Sequence, residues 1–423
     1  MRILFFLLLA LTAVSRAEFR AAAARVDITP KTPQWLMGYA ARQSAGVHDP
    51  IYHRIAIIDD GATQVVIVAS DICVFSPQVY DDAAAEIRRE FGLEPKQLWW
   101  TVTHTHSAPE VGPPGVYDVL LKGRSDHEWS RDYLVQVKAA LRQGIAEARS
   151  KLTAARVATG VGRANANINR RARDLDGTIS LGLNPDGPVD RQIGLLRLER
   201  PGGEPIALIA NYAMHGTALG GQSMEISGDA PGAAAAYVES KLGGVPVLYI
   251  NGAAGNLAPI YSVYPNPRAA HLGEFRVLLG DRILAANAAL TGASAAKLRL
   301  VEKIVETPRR VGLGWPNELS KYAGDGTVKI PVRLLTLGDT VLWGAPVELF
   351  CEIALRVRDE SRFRNTFFFG YTNGWLGYLP TAAAFAEGGY EPRTSPFTER
   401  VERDFTDGVI TAIAGLKESG GVQ

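Results

Sequence analysis

Short apolar runs alternate along this chain with longer stretches of helical periodicity. The runs Arg54 to Ile58 and Gln64 to Ala69 flank Asp60-Gly61 and predict a β-hairpin. Helical spacing extends from Pro77 to Phe91, with Gly92 as its stop. Further helices are predicted over Ser130 to Lys151, Pro231 to Leu242, Arg268 to Leu290, Val347 to Val357 and Glu402 to Leu416. Strands are predicted over Leu98 to Thr103, Ala155 to Gly160, Ile193 to Leu198, Ile206 to Ala210, Val245 to Ile250, Lys297 to Val305, Val332 to Leu337 and Thr340 to Trp343. No repeat, low-complexity linker or clear domain boundary interrupts the series. Strands and helices interleave, which predicts an α/β (or α+β) class with large mixed β-sheets layered with helices.

The strand ends carry the chemistry. Trp99 to Ser107 reads as a strand running into a turn, and alternation along it would set Val102, His104 and His106 on one face. Two imidazoles at the end of a buried strand suit a metal site, one ring as ligand and the other as a neighbouring acid or base. The strand ending at Ala210 leads to His215-Gly216, and the strand ending at Ile250 leads into a glycine-rich turn from Asn251 to Pro259. Val341 to Trp343 leads to Glu348, expected in the first turn of a helix, and the run Thr366 to Phe369 precedes Tyr378. Polar residues on a shared rim of strand ends are the common construction of an α/β active site. Each member also has a plain structural reading. His215 fits a hydrogen-bonded core histidine, Glu348 a complement to a helix dipole, Tyr378 a packing residue and the glycine turn a tight connection.

Composition narrows the classes. With 423 residues, 47% hydrophobic and 21% charged, the chain is an ordinary globular one, and a net charge of +1 argues against nucleic acid. Met1-Arg2, the apolar run Ile3 to Val14 and Ser15-Arg16-Ala17 together read as a signal peptide over residues 1–17. The run is shorter than the roughly 20 residues that span a bilayer, so the expectation is a secreted or periplasmic chain starting near Glu18. Cys73 and Cys351 are the only cysteines, and they are read as two buried small apolar side chains rather than a disulfide.

These motifs, in order, resemble the catalytic N-terminal domain of the neutral/alkaline (non-lysosomal) ceramidases. The matching segments are Arg25 to Pro30 with Met37-Gly38-Tyr39, Thr103 to Ser107, Asn169-Arg170, Met214 to Thr217, Ser227 to Asp229 with Gly232, Ala254 to Pro259, Pro346 to Glu348 and Asn373 to Thr381. The resemblance runs from about Ala22 to about Glu418 and implies one catalytic domain over residues 18–423. It implies a zinc amidohydrolase that cleaves the N-acyl bond of ceramide or a related N-acyl lipid by a metal-activated water. Zn2+ would be held by His104, His215, Glu348 and Tyr378, with His106 as proton-transfer partner and Arg170 stabilising charge on the carbonyl oxygen. Tyr390 matches a second family tyrosine that faces the substrate. The partner implied is a small lipid or amide, with room for transient contact at a membrane surface.

Two departures accompany the match. The family's glycine turn carries a serine where this chain has Ala258, so an acyl-enzyme at this residue is excluded. Family members also continue into a C-terminal β-sandwich, which is not expected here. The alternatives are an exported zinc hydrolase of a different amide or ester, or a non-catalytic relative that keeps the pocket for a lipid or other ligand.

Overall fold

The computed structural model describes residues 18–262 and 271–418, so the expected signal segment lies outside the described residues. Three large mixed sheets form its frame. The first runs in the order Leu98–Val102, Gln64–Ser70, Tyr52–Asp59, Arg20–Asp27 and Thr153–Ala154. The second runs Val247–Asn251, Pro205–Tyr212, Gln192–Glu199 and Arg156–Arg163. The third runs Leu298–Pro308, Thr327–Leu337, Thr340–Gly344 and Asn365–Phe369. The expected layered α/β arrangement is the one observed.

The layering follows from the period-2 alternation of the strands. Ala56, Ile58, Val65 and Ile67 of the first sheet meet Leu196, Leu198, Ala207 and Ile209 of the second and Leu335, Leu342 and Phe367 of the third in one inner core. The intervening residues Ile55, Ile57, Val66 and Val68 face outward onto helices Pro77–Phe91 and Arg131–Ser150. Helices Asp229–Lys241 and Arg282–Ala288 cover the second sheet in the same way. Cys351–Glu360 and Val401–Glu418 cover the third. Helix Pro77–Phe91 shows why these segments are helical: the Ser76 hydroxyl caps its start, Pro77 occupies the first turn, and Gly92 closes it at φ 69°.

Each large sheet contains one parallel pair, and these pairs build the site. Ser70 lies opposite Val102, Tyr212 opposite Asn251, and Gly344 opposite Phe369, all near the carboxyl ends of their strands. The loops leaving these ends converge, as the switch-point rule for open α/β sheets leads one to expect.

Several elements differ from the sequence expectation. The helix read from Val347 begins only at Cys351, because Glu348-Leu349 pairs in parallel with Tyr378-Leu379. Strands Asn167–Arg173 and Ile179–Asn184 were not expected, since Asn and Arg obscure their alternation. The expected helix Arg268 to Leu290 begins outside the described residues, and from Leu272 it passes through a π-helical stretch, Arg276–Asp281. No described helix is long and apolar enough to cross a membrane.

Candidate active site

The strand carrying His104 ends at Val102, so simple alternation does not align the two histidines. His104 instead adopts φ 63°, a left-handed conformation rare outside glycine, as do Tyr371 and Asn373 at 54° and 68°. Backbone bonds hold this turn: His104 N donates to Ile72 O at 3.0 Å, and His104 O accepts from Gly216 N at 3.2 Å. Such conformations persist where the surroundings fix them and gather at functional sites.

The imidazole tautomers follow from their partners. Nδ1 of His104 donates to Cys73 O at 2.9 Å, and Nδ1 of His215 donates to Leu257 O at 2.9 Å. Both Nε2 atoms therefore carry lone pairs. They converge on Glu348 Oε2, at 3.5 Å from His104 and 3.3 Å from His215. Burial is the main cause that lowers His104 to about 3, and it also pushes His215 well below the ordinary histidine range, so both rings are neutral near pH 7. Glu348 is held on its other side by Trp375, whose Nε1 donates to Oε1 at 2.8 Å, while Tyr371 OH donates to Oε2 at 3.4 Å. The Tyr371 ring stacks on His104, 4.3 Å between centroids.

Two neutral imidazoles and a carboxylate whose donor atoms lie within 4.8 Å of one another fit a divalent cation. Cys73 with His104 and His106 forms an overlapping group among the described residues. Burial pushes the Cys73 thiol well above its ordinary pKa, which favours the neutral thiol over a thiolate ligand. Both cysteines are free and buried, as expected.

His106 sits beside the donor set, its Nε2 3.1 Å from His104 Nε2 and its Nδ1 buried without a partner. It is 8% exposed, against 2%, 0% and 3% for His104, His215 and Glu348, so the cluster opens on its side. Gly38 makes this possible: at φ 108°, any Cβ there would stand 2.5 Å from the His106 ring.

Arg170 joins the remaining members. Its Nη1 donates to His215 Nε2 at 3.0 Å, and its Nη2 donates to Tyr378 OH at 3.1 Å and Gly255 O at 2.8 Å. Its Nε donates to Glu391 Oε1 at 2.9 Å, while Arg171 Nη1 takes the other carboxylate oxygen at 2.8 Å. Tyr378 and Tyr390 meet edge to face, 5.7 Å between centroids, and Arg124 Nη1 donates to Tyr390 OH at 3.5 Å. Burial pushes the Tyr378 hydroxyl well above its ordinary pKa.

Ala258 is buried in the short strand Leu257–Pro259, which pairs with Asn167–Arg173. The glycine turn ahead of it packs tightly: a Cβ on Gly255 would lie 2.8 Å from Glu348 O. The structure thus gathers His104, His106, Arg170, His215, Glu348 and Tyr378 directly, and Tyr390 at their edge. Sequence reasoning missed Trp375, Tyr371, Glu391 and Arg42, which hold or flank these groups. Trp375 and Tyr371 stand close to Tyr378 in the chain, but a buried aromatic in a loop carries no signal of what it binds.

Residues 19–253 match the family model of neutral/alkaline non-lysosomal ceramidases, N-terminal. The chain belongs to that family. Neutral ceramidase B of Dictyostelium discoideum is 27% identical over 243 residues, covering 54% of this chain and 32% of that protein. Neutral ceramidase A of the same organism is 28% identical over 233 residues, covering 52% and 31%. The match thus spans about a third of these relatives' length. The neutral ceramidase of Pseudomonas aeruginosa is 23% identical over 483 residues, covering 91% of this chain and 70% of that one. The crystal structure of a P. aeruginosa neutral ceramidase superposes with a TM-score of 0.79 at 18% identity, over 95% of this chain and 75% of that chain. The ceramidase fold therefore extends through nearly the whole chain, past the region matched by the family model.

Proposed function

We propose that this protein is a zinc-dependent amide hydrolase acting on the N-acyl bond of ceramide or a related N-acyl lipid. The observation that carries this reading is the convergence of two imidazole lone pairs, fixed by Cys73 O and Leu257 O, on the carboxylate of Glu348. His104, His215 and Glu348 would hold the ion, with Tyr378 as a further oxygen donor. This nitrogen and oxygen set suits catalytic zinc. When bound, zinc supplies Lewis acidity that polarises a carbonyl and lowers the pKa of water toward about 7.

The chain's own residues do the rest. His106, neutral because burial depresses its pKa, takes a proton from the attacking water and returns it to the amide nitrogen as the C–N bond breaks. Water's oxygen ends on the acyl carbon, so the products are a carboxylate and an amine. Arg170 faces the charge that develops on the carbonyl oxygen. Burial works against its charge, but Tyr378, Glu391 and Glu348 hold the guanidinium above its ordinary pKa. Tyr390 borders the substrate. Ala258 offers no nucleophile, and direct attack by water needs none. The missing hydroxyl also favours an N-acyl amide other than ceramide itself.

Chelator treatment tests this reading on fluorescent N-acyl-sphingosines and simpler N-acyl amides. Hydrolysis should vanish on chelation and return with added zinc. Amide hydrolysis that survives complete metal removal would contradict it.

A further inference from the structure

Among the described residues, the buried arginines are Arg42, Arg54, Arg170, Arg171 and Arg333. Arg54 pairs with Asp71 and Glu239, Arg170 and Arg171 with Glu391, and Arg333 with Glu302. Arg42 pairs with no carboxylate among the described residues. Its Nη2 donates to His106 O at 2.6 Å and its Nε to Ser223 O at 2.9 Å, while its guanidinium lies over the Tyr39 ring at 4.9 Å. Nη1 is buried with no partner at all. An uncompensated buried cation is costly, and a native orphan donor asks for an explanation. Consistent with this, burial lowers the Arg42 pKa from its ordinary value, and only Tyr39, Cys73 and Tyr117 act against it.

Two further buried orphans lie at or next to His106, the residue whose carbonyl Arg42 holds. His106 Nδ1 and Ser107 Oγ are also buried and unpartnered. Arg42 Nη1 thus lies beside His106 as a buried donor with nothing to receive it.

Resting on the amidohydrolase reading above, we infer that Arg42 forms an oxyanion subsite, and that the preferred substrates are N-acyl amides whose amine part carries a carboxylate or phosphate. A charged guanidinium N–H donates a strong hydrogen bond to either group. The oxyanion belongs on the amine side because Arg42 is bonded to His106, the residue that returns the proton to the leaving nitrogen. Neutral ceramide offers Nη1 only uncharged hydroxyl acceptors; an N-acyl amino acid or a phosphorylated N-acyl base offers it a charged one.

The test is a matched set with one acyl chain: an N-acyl amino acid, its neutral carboxamide, an N-acyl-sphingosine and its 1-phosphate. The zinc-loaded protein should favour an anionic member over its neutral partner by roughly 10- to 100-fold in kcat/KM, the range for one charged hydrogen-bonded pair. Which anionic member gains identifies carboxylate or phosphate. The preference should collapse toward unity in Arg42→Gln and survive in part in Arg42→Lys, which keeps the charge. Calorimetric binding of the same compounds gives a readout independent of turnover. Equal handling of charged and neutral partners, or a preference unchanged in Arg42→Gln, overturns the subsite and leaves amide hydrolysis standing. Arg42-dependent binding of the anionic compounds without cleavage of any amide supports the subsite and refutes the hydrolase reading.

Discussion

The indole of Trp375 donates to Glu348 Oε1 at 2.8 Å, and this single bond leaves Oε2 turned toward His104 and His215. The carboxylate is thus oriented before any ion arrives. Trp375→Phe keeps the aromatic bulk and removes the donor. Zinc affinity, read by competition with a chromophoric chelator, should weaken by roughly 10- to 100-fold, the usual effect of losing such a supporting contact. An unchanged affinity would mean that Tyr371 or the backbone pairing alone orients Glu348.

His106 touches the donor set but is not assigned to it. His106→Ala should therefore lower turnover by roughly 10²–10⁴ while the protein keeps its zinc. Metal content measured beside steady-state rates separates the two roles. Loss of the metal, or full activity, would each show that the assignment is wrong.

Glu391 compensates two buried arginines at once. Glu391→Gln removes the one carboxylate that pairs with Arg170 among the described residues and leaves Arg171 with Glu387 alone, and breaking a buried pair in this way costs about 3–5 kcal/mol. Urea unfolding at neutral pH should show that loss. A change below about 1 kcal/mol would indicate that Arg170 and Arg171 are stabilised by Glu387 and by their carbonyl and phenol partners instead.

His53 supplies a pH dependence away from the site. It is fully buried between Ser70 Oγ at 2.6 Å and Val137 O at 3.1 Å, and burial lowers it to about 4. Its folded pKa lies below the unfolded value of about 6.5, so the unfolded chain binds the extra proton first as pH falls. This contribution is complete above about pH 6.5 and disappears on acidification toward pH 4, at about 1.4 kcal/mol per pH unit. The slope of unfolding free energy against pH in that window should flatten by this amount in His53→Gln. An unaltered slope would place the titration elsewhere.

Much of this was legible in the sequence because the parallel strands are short, apolar and punctuated. The runs read to Thr103, Ala210, Ile250 and Phe369 announce themselves, and the structure brings several of the polar residues just beyond them together. What sequence pattern could not supply is the turn geometry. Alternation put His104 and His106 on one strand face, whereas a left-handed backbone at His104 brings the rings together. The helical stripe through Val347 and Cys351 hid the two-residue pairing that fixes Glu348 beside Tyr378. Long-range partners such as Arg170 and Glu391, which lie 221 residues apart, leave no local trace.

The central claim is that His104, His215 and Glu348 create one divalent-metal site. The most direct measurement is zinc stoichiometry and affinity, by equilibrium titration, for the purified chain and its His104→Ala/His215→Ala double variant, with circular dichroism to verify folding. The account predicts one tightly bound zinc per wild-type chain and none in the folded double variant. A wild-type chain that binds no zinc, or a double variant that still binds one with wild-type affinity, would contradict it.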